Sequence, residues 1–435
     1  MTFFQLVAKV QKKISNFATK MAELPIAFME TTRRLMGEQR FEQYLHSFED
    51  EAPVSIRLNP KKTATGNGQL AVSHQPVPWC RHGFYLESRP NFTFDPLFHA
   101  GCYYVQEASS MFLDEVLRQQ PIANSRQLTV LDLCAAPGGK STLLRSALPE
   151  DAVLYSNEPI HNRANILSEN VQKWGYARHI VTNNYPRDYR KSKMKFDLIL
   201  CDVPCSGEGM FRKDEATIRE WSPQNVEKCW QLQREIVSDA WECLNAGGFF
   251  IYSTCTFNTK ENEENIRWIL DTYDAEVVQI DVRPEWNITG SLLPDFHEPV
   301  YRFIPGITRG EGLFMCVLRK KGADFPSARE KKSECSGKKS RVQSKNFCIM
   351  NAESDPTDYP QVALSYTQAM AYLRREALVL PPDAPHGMVN VTFMGQVLGP
   401  AKNIGTRANN LYPKEWKIKT THIPTEYAPV LSLKD

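Results

Sequence analysis

The run Leu128-Thr129-Val130-Leu131-Asp132-Leu133-Cys134-Ala135-Ala136-Pro137-Gly138-Gly139-Lys140 decides how the rest of the chain is read. Leu128 to Leu133 is a short apolar strand containing Asp132, and the small residues after it turn tightly into a helix that begins near Lys140. Small residues let the backbone approach a ligand at a helix N-terminus, where amide N–H groups point outward. A phosphate-binding P-loop competes for the same residues, because Gly139-Lys140-Ser141 matches its last three positions. That motif requires a glycine five residues before Gly139, and Cys134 stands there. The next apolar run, Ala152 to Ser156, ends at Asn157-Glu158, about twenty residues after the glycines, the spacing of a ribose-binding carboxylate. The structural alternative places Glu158 merely at the start of the helix near His161.

Strands and helices alternate outward from this loop. Apolar runs of strand length lie at Leu128 to Leu133, Ala152 to Ser156, Phe196 to Cys201, Gly248 to Ser253 and Leu313 to Leu318, with Ile180-Val181 a shorter candidate. Helical periodicity fills most of the intervals, so the expected fold class is α/β, an open and mostly parallel sheet with helices on both faces. Ser222-Pro223 reads as an N-cap with proline at the first helical position, and Gly247-Gly248 as the close of that helix. Asn258 with Glu261 three residues on resembles a capping box.

The domain organisation expected is an extension over 1–21, an N-terminal subdomain over 22–120, the α/β domain over 121–325, a basic linker over 326–346 and a β-rich module over 347–435. Ala22 to Pro60 is mostly helical in pattern and ends in extended chain from Val54, and a polar patch, Thr63 to Gly68, reads as a loop. The aromatic, proline-dense stretch Pro76 to Gly101 reads as irregular β structure, and Tyr103 to Leu117 as helix. The linker concentrates Arg329, Lys331, Lys332, Lys338, Lys339, Arg341 and Lys345 among few apolar residues. Beyond it a helix is expected near Thr367 to Leu378, with strands at Val389 to Phe393 and Gln396 to Leu398. The tail interleaves Lys402, Arg407, Lys414, Lys417 and Lys419 with Tyr412 and Trp416, a composition suited either to gripping RNA or to an ordinary solvated face.

Two further strings carry chemistry, Asp202-Val203-Pro204-Cys205-Ser206-Gly207 and Tyr252-Ser253-Thr254-Cys255-Thr256. Each follows a core strand, so both thiols are expected on the carboxyl-end rim that holds the glycine loop. A thiolate is the strongest side-chain nucleophile near neutral pH, and a second thiol can serve as acid, base or redox partner. Any single cysteine at a strand end is more often packed than reactive. A zinc site from Cys201, Cys205 and Cys255 lacks the usual short paired spacings, and no metal is expected.

The whole chain sets the bounds. Its 435 residues, 42% hydrophobic and 23% charged, are those of a globular protein, and the net charge of +2 leaves nucleic-acid affinity to local basic patches. No apolar run approaches the roughly 20 residues of a spanning helix, so no membrane partner is expected. Eleven irregularly spaced cysteines point to a reducing compartment, hence a cytoplasmic protein. Met1 to Lys20 carries lysines but no secretory apolar block, which favours a plain extension over a targeting signal.

The strings Cys134 to Lys140, Asp202 to Gly207 with Glu208-Gly209-Met210-Phe211, and Ser253 to Thr256 followed by Glu261-Asn262-Glu263-Glu264 resemble the motifs of the Sun-type (nucleolar protein) family of RNA 5-methylcytosine methyltransferases. Pro78-Trp79-Cys80 through Tyr103-Tyr104-Val105-Gln106-Glu107 and Asn409-Asn410-Leu411-Tyr412-Pro413-Lys414 are similar to its bacterial ribosomal-RNA branch. The resemblance implies a Rossmann-like methyltransferase domain, an N-terminal RNA-binding subdomain, a C-terminal PUA-like module, and S-adenosyl-L-methionine as methyl donor. It implies RNA as partner, ribosomal RNA first and tRNA as the alternative, and a monomer. Carried over residue by residue, Cys255 would be the nucleophile and Cys205 the release cysteine; the chemistry of cytosine methylation also wants an acid beside the base, a place Asp202 suits, near N3 of the ring. The cofactor would meet Cys134, Ala135, Ala136, Pro137, Gly138, Gly139, Lys140, Glu158, Asn184 and Asp202. At Asn184 the chain departs from the family, which commonly has aspartate there contacting adenine; asparagine has a different donor and acceptor pattern. A non-catalytic RNA-binding protein would need neither Cys205 nor Cys255, and a DNA methyltransferase would be expected to manage without Cys255.

Overall fold

The structure, a computed structural model, describes residues 23–63, 70–71, 75–120, 128–322, 347–350, 358–420 and 422–433. The expected extension over 1–21 and linker over 326–346 lie outside the described residues, as does most of the polar patch expected after Thr63.

The core is one mixed sheet. Five parallel strands, β4 (Thr129–Asp132), β5 (Val153–Asn157), β6 (His179–Thr182), β7 (Phe196–Asp202) and β8 (Leu244–Thr254), are continued by antiparallel β9 (Ala275–Val277), β10 (Tyr301–Phe303) and β11 (Leu313–Lys320). The strand order is β9-β11-β8-β7-β4-β5-β6, with β10 pairing on β11. Every parallel strand is covered on both faces, which is why these strands read as nearly continuous apolar runs. One face packs Leu143, Leu144 and Phe112 against Val130, Leu154, Leu198 and Ile251. The other packs Ile236, Val237, Trp241 and Ile269 against Leu131, Ile199, Phe250 and Cys316. The chain leaves β4 towards β6 and returns on the other side through β7 and β8, so the order reverses between β4 and β7, where ligands of open α/β sheets bind.

Helix starts follow local chemistry. The Ser222 side chain accepts from Asn225 N at 3.1 Å, and Pro223 opens the helix Pro223–Cys243. Gly247 does not close it: the helix ends at Cys243, and Gly247-Gly248 lie inside β8, where a Cβ on Gly248 would meet the Asp197 carbonyl oxygen at 3.0 Å. Asn258 caps no helix directly. Its side chain accepts from Glu261 N at 2.9 Å, and the helix begins at Glu263.

The N-terminal sheet corrects one expectation. Tyr103 to Val105 is a strand, β3, pairing antiparallel with β1 (Val54–Leu58), which also pairs with β2 (Gly83–Leu86); helix begins as a 3-10 turn at Ser109–Phe112 and becomes α-helix at Leu113. Buried Arg57 leaves this sheet to reach the core. It donates through Nε to Gln106 Oε1 at 2.8 Å and through Nη2 to Thr142 Oγ1 at 2.6 Å and Gly139 O at 3.2 Å, with its guanidinium 4.5 Å from the Trp174 ring. The C-terminal module, strands Gln361–Ala363, Gly387–Phe393, Gln396–Asn403 and Ala408–Asn410 with helix Tyr366–Leu373, shares a hydrophobic cluster with the N-terminal sheet. Polar contacts join the two: Tyr427 donates to Asp95 at 3.1 Å and Tyr366 to Phe94 O at 3.1 Å.

Candidate active site

The glycine loop, the two thiol loops, Glu158 and Asn184 all follow the carboxyl ends of parallel strands, so the expected residues share one rim. Gly138 takes a left-handed conformation (φ 114°) leading into the helix Gly139–Ala147, and a Cβ there would meet Leu167 at 3.1 Å. Cys134, Ala135 and Ala136 line the turn. Cys134 packs against the core and its thiol is pushed up by burial, the behaviour of a structural cysteine. Glu158 is buried; it accepts from Ile160 N at 3.0 Å and lies 3.4 Å from Arg163.

Asp132, at the end of β4, accepts from Ser141 Oγ at 2.5 Å, while its other oxygen is buried without a partner. Burial lifts its carboxyl pKa to about 7, the Ser141 bond opposing that rise. The unfolded group ionises near 3.8, so the stability this raised pKa contributes is full below that pH and is lost as pH climbs to about 7. Asp132→Asn is expected to flatten this dependence and to gain roughly 2–4 kcal/mol relative to wild type between pH 5 and pH 8. Denaturant midpoints at the two pH values measure it.

Asp202 closes β7. Its carboxylate accepts from Lys140 Nζ at 2.8 Å and Ser253 Oγ at 2.6 Å, which orients it at the rim. Burial alone would lower the Lys140 ammonium, but Asp202 outweighs it and holds the pKa above its ordinary value; Cys255 adds to the effect, so a fixed positive charge lies close to that sulfur.

The Cys205 and Cys255 sulfurs are 3.2 Å apart, and Cys255 N points at the Cys205 sulfur at 3.4 Å. Their hydrogen bond, followed by burial, pushes the Cys205 thiol well above its ordinary pKa.

Two buried carboxylates, unassigned by sequence reasoning, brace the thiol loops. Glu208 Oε2 accepts from Phe257 N and Asn258 N, each at 2.8 Å, fixing the turn after Cys255. Glu261 accepts from Ser206 N at 3.0 Å and from Gln233 and Asn258 side chains at 2.7 and 2.8 Å, fixing the turn after Cys205. Gly209 N donates to Cys255 O at 2.7 Å, and a Cβ on Gly209 would stand 2.6 Å from that oxygen, which accounts for the glycine in Glu208-Gly209. Both carboxylates lie in strings the resemblance quoted, but only tertiary contacts reveal their work.

Asn184 sits beside this rim with its side chain engaged by the backbone of Cys348. Gln106 was also missed. Its Nε2 is buried without a partner, 3.6 Å from where a side chain on Gly139 would start, and its Oε1 is fixed by Arg57. A buried donor left free against a glycine-lined turn, with a carboxylate at the ribose spacing, fits an adenosine-type methyl donor. Among the described residues no cluster suits a metal ion, and no helix is long and apolar enough to cross a membrane.

Such a rim, a donor cradle and two thiols in contact on a Rossmann-like sheet, defines an S-adenosylmethionine-dependent methyltransferase. Family models match in order along the chain: the N-terminal domain of 16S rRNA methyltransferase RsmF over residues 24–108, 16S rRNA methyltransferase RsmB/F over 120–319, and the methyltransferase RsmF PUA domain over 359–418. The chain belongs to the RsmB/F family, with the RsmF type of flanking domains. It is 32% identical over 323 residues to ribosomal RNA small subunit methyltransferase F of Pectobacterium atrosepticum, an alignment spanning 71% of this chain and 65% of that protein. The protein of the same name from Escherichia coli O81 is 28% identical over 90% of this chain and 96% of its own length. The crystal structure of a methyltransferase homolog protein from Pyrococcus horikoshii aligns with TM-score 0.56 and 26% identity, over 72% of this chain and 99% of that one.

Proposed function

We propose that this protein methylates carbon 5 of a cytosine in small-subunit ribosomal RNA, and that Cys255 attacks while Cys205 releases. The observation that carries the reading is the 3.2 Å contact of the two sulfurs on the rim that holds the glycine loop. S-adenosylmethionine, when bound, supplies an electrophilic methyl group. Cys134 to Lys140 would cradle it, Glu158 would accept from the ribose hydroxyls, and Gln106 would offer its free N–H.

Carbon 5 of cytosine is a poor nucleophile. Addition of the Cys255 sulfur to carbon 6 forms an S–C6 bond and makes carbon 5 electron-rich enough to take the methyl group. Asp202, steadied by Lys140 and Ser253, keeps lone pairs free to accept from the cytosine amino group and from N3 once that nitrogen is protonated, which eases the addition at carbon 6. Cys205 then takes the carbon 5 proton, and the electron pair of that C–H bond reforms the ring double bond as the S–C6 bond breaks and Cys255 departs as a thiolate. A stacked base is out of reach, so the cytosine must be unpaired or extruded.

The C-terminal module offers RNA a cavity of about 510 Å³ lined by Arg374, Arg375, Arg407, Lys414 and Lys417 with Asn409 and Asn410. Arg407, Lys414 and Lys417 belong to the basic tail whose composition suited either RNA or an ordinary solvated face. Tyr412, interleaved with them in sequence, is buried against Tyr372 and Trp416, where the ring fills the module's core. The protein is read as a monomer acting in the cytoplasm, where unpaired thiols persist.

The test incubates the purified protein and donor separately with small ribosomal subunits, naked small-subunit RNA and tRNA, followed by bisulfite sequencing. New 5-methylcytosine is expected in the ribosomal RNA; methylation confined to tRNA, or none, overturns the proposal.

A further inference from the structure

The free edge of the core sheet, β6, is lengthened by residues 347–350, which precede the C-terminal module in sequence. Ile349 bridges Thr182 antiparallel, Asn183 N donates to Cys348 O at 3.2 Å, and Met350 N donates to Val181 O at 2.8 Å. Phe347 packs edge-on against Tyr189 with ring centroids 5.0 Å apart, and Met350 joins Ala135, Ala136, Leu167 and Val171 behind the glycine loop.

Asn184 fastens this segment. Its Nδ2 donates to Cys348 O at 3.0 Å while its Oδ1 accepts from Cys348 N at 3.0 Å, so one amide pairs with both backbone groups of one residue. Only a side chain with a donor and an acceptor in one plane can do this. An ionised aspartate would bring a second acceptor against the Cys348 carbonyl and lose one of the two bonds. The backbone of Asn184 is itself held by Asn157, whose Oδ1 accepts from Asn184 N at 3.0 Å and whose Nδ2 donates to Asn184 O at 2.9 Å and Leu133 O at 3.0 Å. Neighbouring Asn183 donates to Glu158 O at 2.6 Å. The latch is therefore bonded into the same turns that carry Glu158 and the glycine loop.

We propose that residues 347–350 form a strap closing the adenosine end of the donor site, and that Asn184 is a positioning residue that latches it. The inference rests on the reading that the donor's nucleoside lies between the glycine loop and Glu158. It gives the asparagine at this position a reason: the strap requires a donor that aspartate lacks. It also ties donor binding to the stretch of chain leading into the RNA-binding module.

The test measures S-adenosylmethionine affinity by calorimetry on the full chain for wild type, Asn184→Ala, Asn184→Asp, Met350→Ala and Glu158→Ala, with hydrogen exchange at the Cys348 and Met350 amides. Asn184→Ala and Met350→Ala are each expected to weaken the donor about tenfold. Exchange at the strap should accelerate in the Asn184 variants, and the loss of activity should appear in the KM for the donor more than in kcat. Donor should slow exchange at Cys348 in wild type and not in Asn184→Ala. Weak binding by Asn184→Ala with normal binding by Met350→Ala would mean direct contact and overturn the strap, as would tighter binding by Asn184→Asp with a loosened strap. If only Glu158→Ala loses affinity, the strap fails while the donor site stands; if wild type binds no donor, the underlying reading fails.

Discussion

Cys255→Ala is expected to reduce methyl transfer by at least about 10⁴-fold, with no protein–RNA adduct at any time point. On the proposed mechanism the attack on carbon 6 is what makes carbon 5 reactive, and the partner thiol, Cys205, is a poor substitute because the contact with Cys255 and burial raise its pKa. The fold should survive the change. The turn that carries Cys255 is held by its neighbours' backbone groups through Glu208 and Gly209, and by Asn262, which accepts from Thr254 Oγ1 at 2.7 Å and donates to Thr256 O at 3.0 Å. Thermal unfolding and donor affinity are therefore expected to stay near wild type. Incorporation of labelled methyl groups into small-subunit RNA reads the outcome, and turnover above about one hundredth of wild type would remove Cys255 from the nucleophile's role.

The parallel half of the sheet was legible because strands buried on both faces must be apolar throughout. Val153–Asn157 and Phe196–Asp202 emerge close to where their hydrophobic runs lie, as does antiparallel Leu313–Lys320, and the Ile180-Val181 pair grows only to His179–Thr182. The antiparallel additions Ala275–Val277 and Tyr301–Phe303 are three residues each, too short for periodicity to register. Tyr103–Val105 read as helix because its partner, Arg57 and its neighbours, lies far away in sequence, and strand pairing at that separation leaves no local pattern. Of the site, the loops that follow strand ends could be placed on one rim from the sheet rule alone. What periodicity could not supply was how side chains are held there. Glu208 looks like an ordinary surface carboxylate and Glu261 like a capping-box partner of Asn258 until burial gives them distant backbone N–H partners, and Asn184 meets Cys348, 164 residues on.

Cys205→Ala is expected to leave the first half of the reaction running and stall the second. The Cys205 thiol owes its raised pKa first to the hydrogen bond with Cys255 and only then to burial. Once the Cys255 sulfur is bonded to carbon 6 it carries no charge and accepts that bond far more weakly, so the largest cause of the elevation disappears. The Cys255 N–H, 3.4 Å from the Cys205 sulfur, remains to stabilise a thiolate. Cys205 thus becomes a usable base only after the adduct exists, when a proton must leave carbon 5 and the S–C6 bond must break. Alanine offers no such base. A single round of methyl transfer should persist, while multiple turnover falls about 10²–10⁴-fold, the range general-base loss commonly costs. The stalled species should appear as an RNA-linked protein band that survives denaturing electrophoresis, absent from Cys255→Ala and from the double variant. In wild type the adduct should resolve faster as pH rises, because resolution waits on the Cys205 thiolate, and in Cys205→Ala that acceleration should vanish. Normal multiple turnover by Cys205→Ala with no retained RNA would show that water or another group takes the proton and that Cys205 serves only to protonate and orient its partner.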